Sequence, residues 1–256
     1  MNNFIIDLTT INVIMTLGTA LLGVLSFILA VFTVNKIPAK WLCDYDETPS
    51  EEMLNGKRFK GNLLYITGCT ISALAFATIY LVYGATLYTP VLMGLTFVLV
   101  TIILSDGKYF IIPDQFAIIS GALSLVFAYY DLFNKQYVIK NWWSPIVGGI
   151  GVALLIIAVN LLTVLIAKKD GMGFGDVKLF AAIGTATGFP DIFIALLIAV
   201  LLAFLIIIFT VIINKIRNKE TENYIPFGPS ICVGVFVTVV LHQPISYLID
   251  LYFTLF

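Results

Sequence analysis

"IFIALLIAVLLAFLIIIFTVIIN", residues 192–214, carries no charged side chain. A helix rises about 1.5 Å per residue, so this run is long enough to cross the roughly 30 Å hydrocarbon core of a bilayer. Composition agrees, with 60% hydrophobic and 11% charged residues and a mean hydropathy of +1.03. A water-soluble chain of 256 residues needs far more charge to cover its surface, so the natural solvent is lipid. Working outward, seven more apolar runs read as spans: 11–34, 62–83, 90–105, 115–131, 144–167, 177–189 and 228–242. Of these, 90–105, 177–189 and 228–242 are short. The last stretch, 244–256, is too short to span and is expected at the interface. A spanning segment must satisfy its own backbone, so the expected fold is an all-α polytopic bundle of about eight transmembrane helices. Residues 1–256 read as a single membrane domain without internal repeats.

The basic residues give an orientation. With the N-terminus outside, twelve Lys and Arg fall in cytoplasmic loops, and only Lys135 and Lys140 fall opposite, which accounts for all fourteen. "MNNFIIDLTTINVIM" lacks a basic leader region and carries Asp7, so the first span reads as a retained anchor. Cys43, Cys69 and Cys232 have no paired spacing, and neither a disulfide framework nor a metal site is expected from them. His242, at the outer end of the last span, is given no role. The longest polar segment, 35–62, reads as a cytoplasmic loop or small subdomain. Its acids (Asp44, Asp46, Glu47, Glu51, Glu52) lack calcium-loop spacing and read as a solvated face. The net charge of −1 points to no particular partner; no nucleic acid is expected, and oligomeric state is not legible.

None of the fifteen acidic residues lies in mid-span, and neither does any Lys or Arg. An ion-coupled transporter keeps an ionisable group near the midplane, so that function loses ground. Three acids, Asp106, Asp114 and Asp176, sit at the cytoplasmic edges of apolar runs. Asp176 belongs to "GMGFGDVK", residues 171–178, where Gly171, Gly173 and Gly175 let a backbone or a substrate approach closely. In "SDGKYFIIPDQF", residues 105–116, Pro113 suits a helix start and Asp114 a helix cap. Asp106 directly follows an apolar run, at a helix C-terminus where the dipole disfavours a negative charge. Helix packing can bring Asp106 and Asp176 together although seventy residues separate them. Two such carboxylates cannot both ionise cheaply; sharing a proton, one can take a proton from water while the other donates to a carbonyl.

"GMGFGDVKL" resembles the signature of the GxGD aspartyl proteases, with Gly173, Phe174, Gly175 and Asp176 in the motif positions. "SDGKYFIIPD" is similar to the first-aspartate segment of the type IV prepilin peptidases. "YIPFGPS", residues 224–230, resembles their segment before the last span, and "NKIPAKW" the junction after their first. Three motifs in matching order make the resemblance specific. It implies a membrane endopeptidase that removes the basic leader of prepilins or pseudopilins at the cytoplasmic face of the cell membrane. It further implies Asp106 and Asp176 as the catalytic pair, with Asp114 and Lys178 supporting and Gly173 and Gly175 shaping the cleft. The acidic cluster of the 35–62 loop would suit a basic leader, whereas Lys168 and Lys169 would not.

Bacterial members with two Cys-x-x-Cys pairs in that loop bind zinc and N-methylate the product using S-adenosylmethionine. Cys43 stands alone here, so no four-thiolate zinc is expected, no cofactor is assigned and methylation is not inferred. Proteases of the presenilin and signal-peptide-peptidase type share GxGD, but they pair it with Tyr-Asp in the earlier span, where the acid here follows Ser105, and with a later Pro-Ala-Leu, where this chain reads "PFGPS". The alternative from a different class is a non-catalytic membrane transporter or assembly scaffold.

Overall fold

The computed structural model describes residues 10–43, 48–54, 56, 58–134, 138–167, 173–216, 226–242 and 244. Helix α1, Thr10–Lys36, leads through a 3-10 turn, Ala39–Leu42, to the single turn α2, Glu51–Leu54. Then come α3 (Asn62–Tyr83), α4 (Tyr88–Tyr109) and α5 (Asp114–Asn134). Next, α6 (Ser144–Ile146) runs through a π-helical turn, Val147–Gly151, into α7 (Val152–Ala167). The chain finishes with α8 (Phe174–Thr187), α9 (Ile192–Ile216) and α10 (Gly228–Val240). Each predicted run is helical, and no strand occurs among the described residues. Among the described residues, six stretches are long and apolar enough to cross a membrane: α1, α3, α4, α5, α6 continuing into α7, and α9. The chain is therefore a multi-pass membrane protein. Helices α8 and α10, with 14 and 13 residues, rise only about 20 Å each.

One boundary differs in a way that matters for Asp106. The polar residues after Leu104 do not stop α4, which continues to Tyr109. It stops where Phe110 turns left-handed at φ 57°, its N–H donating to the Asp106 carbonyl at 2.9 Å. Asp106 thus lies inside the last turn of the helix rather than beyond its end.

Helix α4 is the centre of the bundle, packing against α1, α3, α5 and α10. Helix α8 packs against α5, α7, the π-turn and α10, and α10 is wedged between α4, α8 and α9. The outer helices α1, α7 and α9 turn Leu, Ile and Phe outward, as a lipid-facing surface requires. Small residues bring the backbones close, the usual solution where lipid removes the hydrophobic drive. Where α8 crosses the π-turn, a methyl on Gly184 would stand 2.7 Å from the Gly148 carbonyl oxygen.

The end of the bundle formed by the α3–α4 and α5–α6 connections is fixed by polar groups. Asp131 is fully buried near the end of α5. Its carboxylate accepts the Tyr88 hydroxyl at 3.1 Å and the Val138 and Ile139 N–H groups at 2.7 and 2.6 Å. His242, for which no role was expected, has its Nδ1 3.3 Å from Asp191 Oδ2, linking the end of α10 to the start of α9. Of the expected interfacial segment, 244–256, only Pro244 is described.

Candidate functional site

At the opposite end, four helix termini converge: the C-terminus of α4 and the N-termini of α5, α8 and α10. Helix N-termini present unpaired N–H groups and partial positive charge, so this end is built to hold anions. Three carboxylates occupy it. Asp106 comes from the last turn of α4, Asp114 is the first residue of α5, and Asp176 lies in the first turn of α8.

Asp106 is 5% exposed, and its Oδ2 accepts the Gly228 N–H at 2.9 Å. A buried carboxylate at a helix C-terminus is thereby paired with the N-terminus of another helix, which offsets the dipole cost expected from sequence. Glycine at 228 leaves room for that bond: a methyl there would stand 2.7 Å from Asp106 Oδ2 and 3.0 Å from its Cγ, so the carboxylate would have to shift. Asp176 sits three residues into α8 from its cap, Gly173, and its carboxylate reaches back to the Gly173 N–H. That is the acceptor position of a capping box. Asp106 and Asp176 are close enough to act on each other's charge, and both act on the buried Cys232 of α10. The two acids singled out in sequence are therefore neighbours.

Asp114 and Lys178, both read as supporting residues, meet in an ion pair of 2.8 Å that ties α5 to α8. The Lys178 ammonium also lies 5.0 Å from the centre of the Phe174 ring. The motif glycines behave differently from Gly228. A methyl on Gly173 would meet only Asp176 Oδ2, at 3.7 Å, and one on Gly175 only Ile112, from 3.5 Å outward. Both are ordinary contacts, so neither glycine is demanded by packing. The bare faces agree with the expectation that they keep the approach to Asp176 clear. Residues 168–172, including Lys168, Lys169 and Gly171, lie outside the described residues.

A fourth set of contacts docks the loop after α1 onto this end. Arg58 is buried, and its guanidinium donates to the Val34 and Ile37 carbonyls at the C-terminus of α1 and to the Met53 carbonyl. Those α1 carbonyls lack intrahelical partners, so the planar fork supplies what the helix end leaves open. Lys108, two residues after Asp106, donates to the Arg58 carbonyl and pairs with Glu52 at 2.7 Å. The hydrogen bond and charge of Lys108 hold the Glu52 carboxyl below its usual range. Glu52 stays on the solvated face expected of it, its side chain 68% exposed, while pairing with Lys108. Asp44, Asp46 and Glu47 of the same cluster lie outside the described residues.

Sequence reasoning missed three contributors. "YIPFGPS" was legible as a motif, yet nothing in it announced that the Gly228 N–H holds Asp106. Arg58 looked like any loop cation, and Ile112 like any apolar residue in a linker.

Comparisons with known proteins bear on the same residues. The model of the type IV leader peptidase family matches residues 93–208, a stretch that holds Asp106, Asp114, Asp176 and Lys178 but not Gly228. A prepilin leader peptidase/N-methyltransferase of Pseudomonas putida is 27% identical over 176 residues, 67% of this chain and 56% of the relative. One of Aeromonas hydrophila is 26% identical over 154 residues, 59% of this chain and 49% of the relative. Leader peptidase HopD of Escherichia coli is 29% identical over 143 residues, 54% of this chain and 84% of the relative. The chain spans about half the length of the first two, at 56% and 49%. No solved structure matches it.

Proposed function

We propose that this chain is a member of the type IV leader peptidase family, whose model matches residues 93–208, and an aspartic endopeptidase of the cytoplasmic membrane. It would remove the leader peptide of prepilins or pseudopilins at the cytoplasmic face. The observation that carries this reading is the meeting of Asp106 and Asp176, from α4 and α8, at one recessed end of the bundle. Burial at helix N-termini gives each carboxylate a fixed backbone donor, Gly228 for Asp106 and Gly173 for Asp176.

In the proposed reaction the pair carries one proton between its two members. The ionised member takes a proton from a water whose oxygen attacks the scissile carbonyl carbon. The protonated member gives its proton to the carbonyl oxygen, which yields a neutral gem-diol. In the second half, the member that took the water proton gives it to the amide nitrogen while the other member takes a gem-diol hydroxyl proton; the C–N bond breaks, leaving a carboxylic acid, an amine and the pair again with one proton. The uncluttered faces of Gly173 and Gly175 suit an extended substrate backbone beside Asp176. The Lys178–Asp114 pair holds α8 against α5 while this happens. The twelve-to-two division of Lys and Arg, read with the positive-inside rule, favours this end as the cytoplasmic one.

The test is cleavage of a candidate prepilin by the purified protein in detergent, with sequencing of the new N-terminus. Asp106→Asn and Asp176→Asn are each expected to lower cleavage by at least about a hundredfold, the scale of general acid–base catalysis. A transporter or scaffold would keep its role with either change. Undiminished cleavage by either variant would refute the paired-carboxylate mechanism.

A further inference from the structure

The linker between α4 and α5 holds a side chain that touches both halves of the site. Phe110 ends α4 with its ring 41% exposed, and Pro113 leads into α5. Between them Ile112 turns inward and is 8% exposed. A methyl built on Gly228 would lie 3.2 Å from Ile112 Cδ1, and one on Gly175 would lie 3.7 Å from the same atom. The Gly175 position also faces Ile112 Cβ and Cγ1, at 3.5 and 3.8 Å. One isoleucine therefore lies across the N-terminal turns of two helices. One of those turns carries Asp176, and the other donates the hydrogen bond that holds Asp106.

We propose that Ile112 is a positioning residue that sets the spacing of Asp106 and Asp176 by filling the gap between the first turns of α8 and α10. Like-charged groups and two positive helix ends do not choose a fixed separation by themselves. A close-packed apolar spacer does, because protein interiors resist compression and voids alike. Glycine at 228 leaves room for Ile112 beside α10, and the bare face of Gly175 lies toward the same side chain from α8. The terminal Cδ1 methyl of Ile112 faces both glycine positions. Removing that methyl opens space at the Gly228 position while Cβ and Cγ1 still face Gly175.

The inference rests on the proposed peptidase activity, and its test is a graded series measured in the same cleavage assay. Ile112→Val, which deletes Cδ1, is expected to lower kcat about tenfold, and Ile112→Ala about a hundredfold, the scale of misplaced reacting groups. KM stays within about threefold for both, because the substrate's approach past Gly173 is untouched. Ile112→Leu, which keeps volume and reach, returns kcat to within about threefold of wild type. Ile79→Val supplies the control: it deletes one methyl from a fully buried residue near the far end of α3, and kcat is expected to hold. If Ile112→Ala does not fold, the valine and leucine variants still decide. The proposal is overturned if Ile112→Val keeps kcat within about twofold of wild type, if its loss lies in KM, or if Ile79→Val loses as much. A wild-type protein that cleaves no prepilin would instead sink the peptidase reading, and this inference would fall with it.

Discussion

Gly228→Ala tests the site more sharply than removing a carboxylate, because it leaves every ionisable group in place. The added methyl would stand 2.7 Å from Asp106 Oδ2, where ordinary contact begins at 3.4 Å. Something must therefore retreat by about 0.7 Å. The backbone of α10 is pinned between α4, α8 and α9, so the Asp106 side chain is the part able to move. A retreat along the Gly228 N–H direction stretches that 2.9 Å bond to about 3.6 Å, which is no longer a hydrogen bond. A hydrogen bond to a charged group contributes about 1.5–3 kcal/mol. If the Asp106 placement it secures is needed in the transition state, kcat falls roughly ten- to a hundredfold. Alanine is also the better helix former, by about 1 kcal/mol in a helix interior, so folding should not suffer comparably. The assay is prepilin cleavage alongside thermal unfolding in the same detergent. Cleavage within about twofold of wild type at unchanged Tm would show that the Gly228–Asp106 contact does not position the acid.

Two further outcomes concern structure away from the carboxylate pair. Asp131→Ala strands two buried N–H groups and the Tyr88 hydroxyl. At about 1–3 kcal/mol per unsatisfied group, a loss of about 3–5 kcal/mol and a Tm drop well beyond 5 °C are expected, partly restored in Asp131→Asn. A drop under about 2 °C in thermal unfolding would contradict this account. At the other end, the hydrogen bond and charge of Lys108 hold the Glu52 carboxyl below the ordinary glutamate range. A depressed acid contributes stability above its unfolded value and loses it as pH falls through the folded one. Exchange protection of the Met53 and Leu54 amides, which donate to the Ser50 carbonyl, corrected for intrinsic rates, should therefore be flat from pH 6 to 8 and decline below about 4.5. Glu52→Gln should remove the decline; a wild-type profile that is flat to pH 3 would dismiss the pairing.

Hydropathy revealed the bundle because lipid imposes one rule on every spanning backbone, and uncharged runs such as 192–214 obey it without reference to their neighbours. The two acids were visible for the same reason: in a chain with so little charge, carboxylates at span edges stand out. What was hidden depended on three-dimensional pairing. The N–H of Gly228 meets Asp106 across 122 residues of sequence, and no local pattern encodes that. The boundary of α4 was misplaced because polarity suggested an end at Ser105. The actual stop is a single left-handed residue, Phe110, with a bulky side chain that local propensity would not choose. Arg58 was unreadable because a loop cation gains meaning only from the carbonyls it reaches, and here those belong to α1 and to the turn at Met53.

The two shortest helices made the sequence boundaries hardest to place, and they also explain why a site can form at this end. Helix α4 runs 22 residues, against 14 for α8 and 13 for α10. Because Asp106 accepts its bond from the first residue of α10, the N-terminus of α10 stands level with a point three residues inside the end of α4. At about 1.5 Å per residue the carboxylates are recessed by roughly one helical turn. Full-length neighbours at those positions would close the end flush and bury the acids beneath packed side chains. Short ones leave a step lined by backbone N–H groups, with Ile112 as its apolar side and the loop held by Arg58 on the α1 flank. A carboxylate pair needs such a step: deep enough to strengthen its interactions by excluding bulk water, yet shallow enough for a peptide bond to reach it from the membrane surface.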